Sequence, residues 1–134
     1  MPEYIKKLLK RFKHIKPGKL IHTPYKPPPK RYGADSQKPS KEDNTEILDK
    51  DWIKEIQQIV GAILYYQRAI YCTVGVALST ITSEQTKATA KTKQRAGCLL
   101  DYLCTHPDTK IKFYTSDMVL NVHSDTSYLS ETRA

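Results

Sequence analysis

The chain has 134 residues, 39% hydrophobic and 27% charged, which suits one small domain with a core of its own. Its net charge of +8 is lopsided: residues 1–41 hold 12 Lys/Arg against Glu3 and Asp35, while residues 42–134 hold 10 basic against 12 acidic side chains. A basic block of this kind points to a polyanionic partner, and three cysteines (Cys72, Cys98 and Cys104) without C-x-x-C spacing argue against a disulfide framework or zinc site.

The opening run MPEYIKKLLKRFKH lacks the apolar stretch of a secretory signal. Instead, Tyr4, Ile5, Leu8, Leu9 and Phe12 fall at helical spacing, with Lys6, Lys7, Lys10 and Arg11 on the other side. This predicts a basic helical arm over 1–15, with the helix at 3–12 and ending before Pro17-Gly18. Residues 16–48 read as a linker, because six of the eight prolines lie at 17, 24, 27, 28, 29 and 39.

A helical connection region follows over 49–106. Trp52, Ile53, Ile56, Ile59, Val60, Ile63 and Leu64 form a stripe that predicts a helix over 49–69, capped by Asp49 or Asp51. Val74, Val76, Ala77, Leu78 and Ile81 predict a second helix over 72–84. A third spans 86–105, with Thr86 or Thr89 as cap, Ala96, Leu99, Leu100 and Leu103 as its apolar face, and Pro107 closing it. Residues 56–83 carry a single charge, Arg68, but Gln57, Gln58, Gln67, Thr73, Ser79 and Thr80 interrupt them, so no membrane span is expected. In the last region, 107–134, IKFYTSDMVLNVHSD reads as strands 110–115 and 118–124 joined at Ser116-Asp117. The expected class is α+β and mainly helical, with a C-terminal β-hairpin that looks like part of an unfinished sheet.

Chemistry-bearing residues are few. On spacing alone, Asp125 is a turn-capping aspartate at a strand end, and a two-metal nuclease would need further carboxylates. The neighbours His123 and Ser124 cannot form a triad with it merely by adjacency, since alternate strand residues point to opposite faces. Lys6, Lys7, Lys10, Arg11, Lys13, Lys16 and Lys19 read either as a solvated face or as phosphate contacts, with Tyr4, Phe12, Tyr25 and Tyr32 interleaved for stacking. Arg68 reads best as a helix-end residue that complements the helix dipole. No phosphate-binding glycine loop, H-E-x-x-H or nucleophile elbow is present.

Three stretches taken together resemble the carboxyl-terminal part of a copia-type retrotransposon reverse transcriptase, running into the start of its ribonuclease H domain. MPEYIKKLLKRFKH resembles the segment after the polymerase palm. IQQIVGAILYYQRAI, residues 56–70, is similar to the Val-Gly-x-x-Leu-Tyr-Tyr-x-Arg-Ala run of the connection. Residues 99–134 resemble the entry into ribonuclease H, with its Ser-Asp-x-Ser-Tyr signature at 124–128. After Arg68-Ala69 the chain departs from the family: Ile70-Tyr71-Cys72 stands where an apolar residue and Asp-Pro are usual.

The resemblance implies that Asp125 is the first acidic ligand of the catalytic Mg²⁺ ions. It also implies that the partners are RNA–DNA hybrid or template–primer and the rest of the polyprotein. Both catalytic carboxylate sets would lie largely outside these residues, so neither polymerisation nor cleavage is expected of the chain alone. A second expectation, from another class, is a small basic module that binds nucleic acid without catalysis. Either would work in a reducing intracellular compartment, cytoplasm or nucleus.

Overall fold

The computed structural model describes residues 2–26 and 43–108, together with 110, 112, 115, 117–119 and 122. Among the described residues there are four α-helices and no strand: α1 Pro2–Arg11, α2 Lys50–Ala69, α3 Gly75–Glu84 and α4 Ala90–Thr105. Single 3₁₀ turns, Cys72–Val74 and Gln85–Lys87, lead into and out of α3. The chain divides into two compact units, Met1–Pro27 with Thr45–Ile111, and Pro28–Asn44 with Lys112–Ala134. All four helices belong to the first. The expected hairpin falls largely outside the described residues. In the second unit, Asp117 Oδ1 accepts the Val119 N–H at 3.4 Å and Met118 has φ 61°, a tight-turn geometry.

The apolar periodicity of the helices builds the core. Ile56, Ile59, Val60 and Ile63 of α2 are buried against Ala77, Leu78 and Ile81 of α3 and Ala96, Leu99, Leu100 and Leu103 of α4. Each large aliphatic side chain buried in this way contributes about 1.5–3 kcal/mol. Helix α1 adds Ile5 and Leu8 to the same core, and the Tyr4 hydroxyl donates to the Ala62 carbonyl at 2.9 Å. The N-terminal helix is therefore docked on the helical body.

Local capping sets the helix ends. Asp49 accepts the Trp52 N–H at 3.0 Å and starts α2. Thr89 and Thr92 form a reciprocal capping box at the start of α4. At the end of α1 the Lys13 N–H donates to Lys10 O at 3.1 Å and the His14 N–H to Leu9 O at 2.9 Å. That bond pair is a Schellman ending, and it puts Lys13 in the left-handed region at φ 49°, where glycine is usual.

Segments flanking the helices tie the unit together. Ile47 pairs antiparallel with Thr89, with Leu48 N–H on Ala88 O and Ala90 N–H on Glu46 O, both at 2.9 Å. This bridge holds the first turns of α2 and α4 side by side. After α1, His14 bonds Asp101 at 2.7 Å, Ile21 N–H donates to Thr105 Oγ1 at 3.1 Å, and His22 meets His106 at 3.3 Å. Residues 14–23 thus run along the last turns of α4. Tyrosines close that end of the bundle: Tyr66 meets Tyr71 edge-on at 6.0 Å, and Tyr71 stacks on Tyr102 at 5.9 Å with their hydroxyls hydrogen-bonded.

Candidate nucleic-acid interface

The amphipathic pattern of α1 decides where its charges go. Burial of Ile5 and Leu8 turns Lys6, Lys7, Lys10 and Arg11 outward, and all four are exposed. Lys13, Lys16 and Lys19 on the following segment are exposed as well. All seven sequence-predicted cations therefore reach solvent on one continuous stretch of backbone. Lys6 pairs with Glu3 at 3.1 Å across the helix surface, a contact of little energetic weight at that exposure. Arg11 lies 5.5 Å from the centre of the Phe12 ring and shares a shallow groove with Lys54, Asp51 and Glu55. Those two acids lower the positive potential there.

The interleaved aromatics divide into different roles. Tyr4 is used for packing: its ring stacks on Tyr66 at 5.7 Å and its hydroxyl is bonded. Phe12 is half-buried against the core, and Tyr25 is 40% exposed. Tyr32 and Asp125 lie outside the described residues. Arg68 is exposed in the last turn of α2, as a helix-end arginine should be.

The sequence pattern missed a second aromatic–cation pair. Trp52 reads as part of the α2 core stripe, yet it is 38% exposed, and the Lys93 ammonium sits 3.2 Å above its ring centre. The Ile47–Thr89 bridge brings them together, since each lies in the first turn of its helix. A cavity of about 360 Å³ opens beside them, floored by Ile56 and Leu100 and edged by Phe12 and Lys13. The available clue was the place of Trp52 at the very start of the helix, where a stripe frays.

All three cysteines are free. Burial, and then the Asp101 charge, push the Cys98 thiol above its usual range, with Lys26 opposing. It stays protonated and approaches the Thr23 carbonyl at 3.9 Å as a weak donor, not a nucleophile. Among the described residues no three His, Cys, Asp or Glu side chains converge as a metal site; Asp125, where the resemblance implies magnesium, lies outside them. Nor, among them, is any helix long and apolar enough to cross a membrane. No protein-family model, curated protein or solved structure matches the chain.

Proposed function

We propose that this chain binds nucleic-acid backbone through Lys6, Lys7, Lys10, Arg11, Lys13, Lys16 and Lys19, as the piece of a copia-type reverse transcriptase that joins polymerase to ribonuclease H. The observation that carries the binding half is the exposure of all seven cations on one docked stretch. Because the stretch is held on a packed body, its charges are presented with little ordering cost on binding. The polyprotein half rests on the three sequence stretches that resemble the family. In that setting Asp125 belongs to the ribonuclease H site, with partner carboxylates supplied by the rest of the polyprotein. Magnesium bound there would activate water for hybrid cleavage. The free thiols suit a reducing compartment, cytoplasm or nucleus.

A second reading is a small basic module that binds nucleic acid and catalyses nothing. The docking of α1 favours it, since Ile5 and Leu8 join the core of the helical unit.

Binding of a labelled oligonucleotide, followed by anisotropy between about 50 and 200 mM salt, tests the shared claim. Affinity should fall steeply and linearly on a log–log plot. Absence of binding at the low-salt end would remove the proposal. Asp125→Asn then separates the two readings. It abolishes hybrid cleavage in a frame restored to a full ribonuclease H domain if the first holds, and changes nothing measurable in a pure binding module.

A further inference from the structure

The groove between Trp52, Lys93 and the end of α1 is the second place where aromatic surface and positive charge coincide. Its walls are apolar, from Phe12, Trp52, Ile56 and Leu100, and its edges carry Lys13 and Lys93. Among the described residues Glu55 is the only carboxylate lining it, against those two ammonium groups. About 360 Å³ lies at the small end of the range for ligand clefts, roughly 300–1,000 Å³.

We propose that this groove receives one unpaired nucleobase of a single-stranded nucleic acid, stacked on Trp52, with the flanking phosphates held by Lys13 and Lys93. The proposal rests on the nucleic-acid binding inferred above and adds the strand form and the contact residue. Three features favour this occupant. Lys13 belongs both to the groove edge and to the basic stretch, so a strand tracking the cations passes the opening. The ring of Trp52 is partly exposed and carries the Lys93 ammonium over its face, a cation–π contact that a phosphate and a base can jointly replace. In that exchange the ammonium moves to the phosphate and the base takes the ring face. A duplex keeps its bases stacked inside, so only a splayed-out base can enter a cleft of this kind.

Trp52 is the single tryptophan of the chain, so its fluorescence reports the groove alone. The test titrates the full chain with a labelled oligothymidylate of about 16 nucleotides, with a blunt-ended, loop-free duplex and with heparin. Anisotropy and tryptophan emission are followed together. The strand should quench Trp52 with the same midpoint as the anisotropy change. Duplex and heparin should bind, by direct anisotropy or by competition, and quench little. Trp52→Leu, folded by circular dichroism, should weaken strand binding about tenfold and leave heparin binding unchanged.

Strand binding without quenching overturns the groove assignment and leaves the nucleic-acid reading standing. Equal quenching by heparin overturns it too, since displacement of Lys93 would then explain the signal without a base. Equal quenching by the duplex removes the single-strand preference. If none of the three polyanions binds, the proposed function fails and the groove assignment fails with it. The native-chain titration decides even if the leucine variant misfolds.

Discussion

The Thr92 hydroxyl donates to the Glu84 carboxylate at 3.0 Å while it accepts the Thr89 N–H at 3.2 Å. One fully buried side chain thus caps α4 and anchors it to the end of α3. Arg95 completes the arrangement by pairing with the other oxygen of Glu84. Thr92→Val keeps the shape and removes both bonds, leaving a half-buried carboxylate with one partner fewer. Urea unfolding should show a loss of about 2 kcal/mol with an unchanged m value. Thr92→Ser should recover most of it. A valine variant within about 0.5 kcal/mol of the parent would show that the bonds carry no weight.

The tyrosine cluster makes stability sensitive to strong base. Burial, followed by the hydrogen bond and charge of Tyr71, pushes Tyr102 from 10.0 up to about 12, with a Thr73 hydrogen bond opposing. The folded state therefore prefers the neutral phenol more strongly than the unfolded state does. Its contribution is fully present below pH 10 and is lost as the pH rises from 10 toward 12. Thermal melting across this window should fall more steeply for the parent than for Tyr102→Phe. Parallel curves would mean that Tyr102 does not govern the base transition.

Lys13 sets fold and binding against each other. Glycine at its left-handed position relieves a steric penalty, so Lys13→Gly should stabilise the chain by about 0.5–1 kcal/mol even after the gain in unfolded-state freedom. The same change deletes one groove cation and should reduce the salt slope of oligonucleotide binding by about 0.7–0.9. A variant that loses both stability and binding would contradict the Schellman geometry.

Replacing Lys7, Lys10 and Arg11 together with glutamine should flatten that slope by about 2 to 3 without lowering the melting temperature appreciably. All three are exposed and make no ion pair in the structure among the described residues. Lys87→Gln, away from this stretch, serves as the control and should leave the slope unchanged. An unchanged slope in the triple variant would place the polyanion contact elsewhere.

The helices were legible because their apolar spacing is strong: Ile56, Ile59, Val60 and Ile63, and then Ala96, Leu99, Leu100 and Leu103, are all buried as expected. The errors lie at the edges of stripes. Val76 reads as core but is 64% exposed, and Leu64 turns outward while Tyr66 is buried. Periodicity fixes a face to within one residue at best; which residue wins depends on the neighbour packed there. The site was half legible. Charge composition located the seven cations, but nothing local in α2 or α4 signals that residues 47 and 89 pair, and without that bridge Trp52 and Lys93 have no reason to meet. Tyr4 reads both as part of the α1 apolar stripe and as a stacking aromatic; it packs in the stripe, on a partner, Ala62, that lies 58 positions away.

Those separations have a consequence for biosynthesis. Tyr4 waits for Ala62, and His14 waits for Asp101, 87 positions later. At roughly 5–20 residues per second, His14 leaves the decoding centre about 4 to 17 s before Asp101 is added. For that interval α1 lacks the α4 part of the surface that buries Ile5 and Leu8. A nascent chain would carry a basic amphipathic segment still short of its main partner, open to chaperones and to the ribosomal RNA around it, until α4 arrives to claim it.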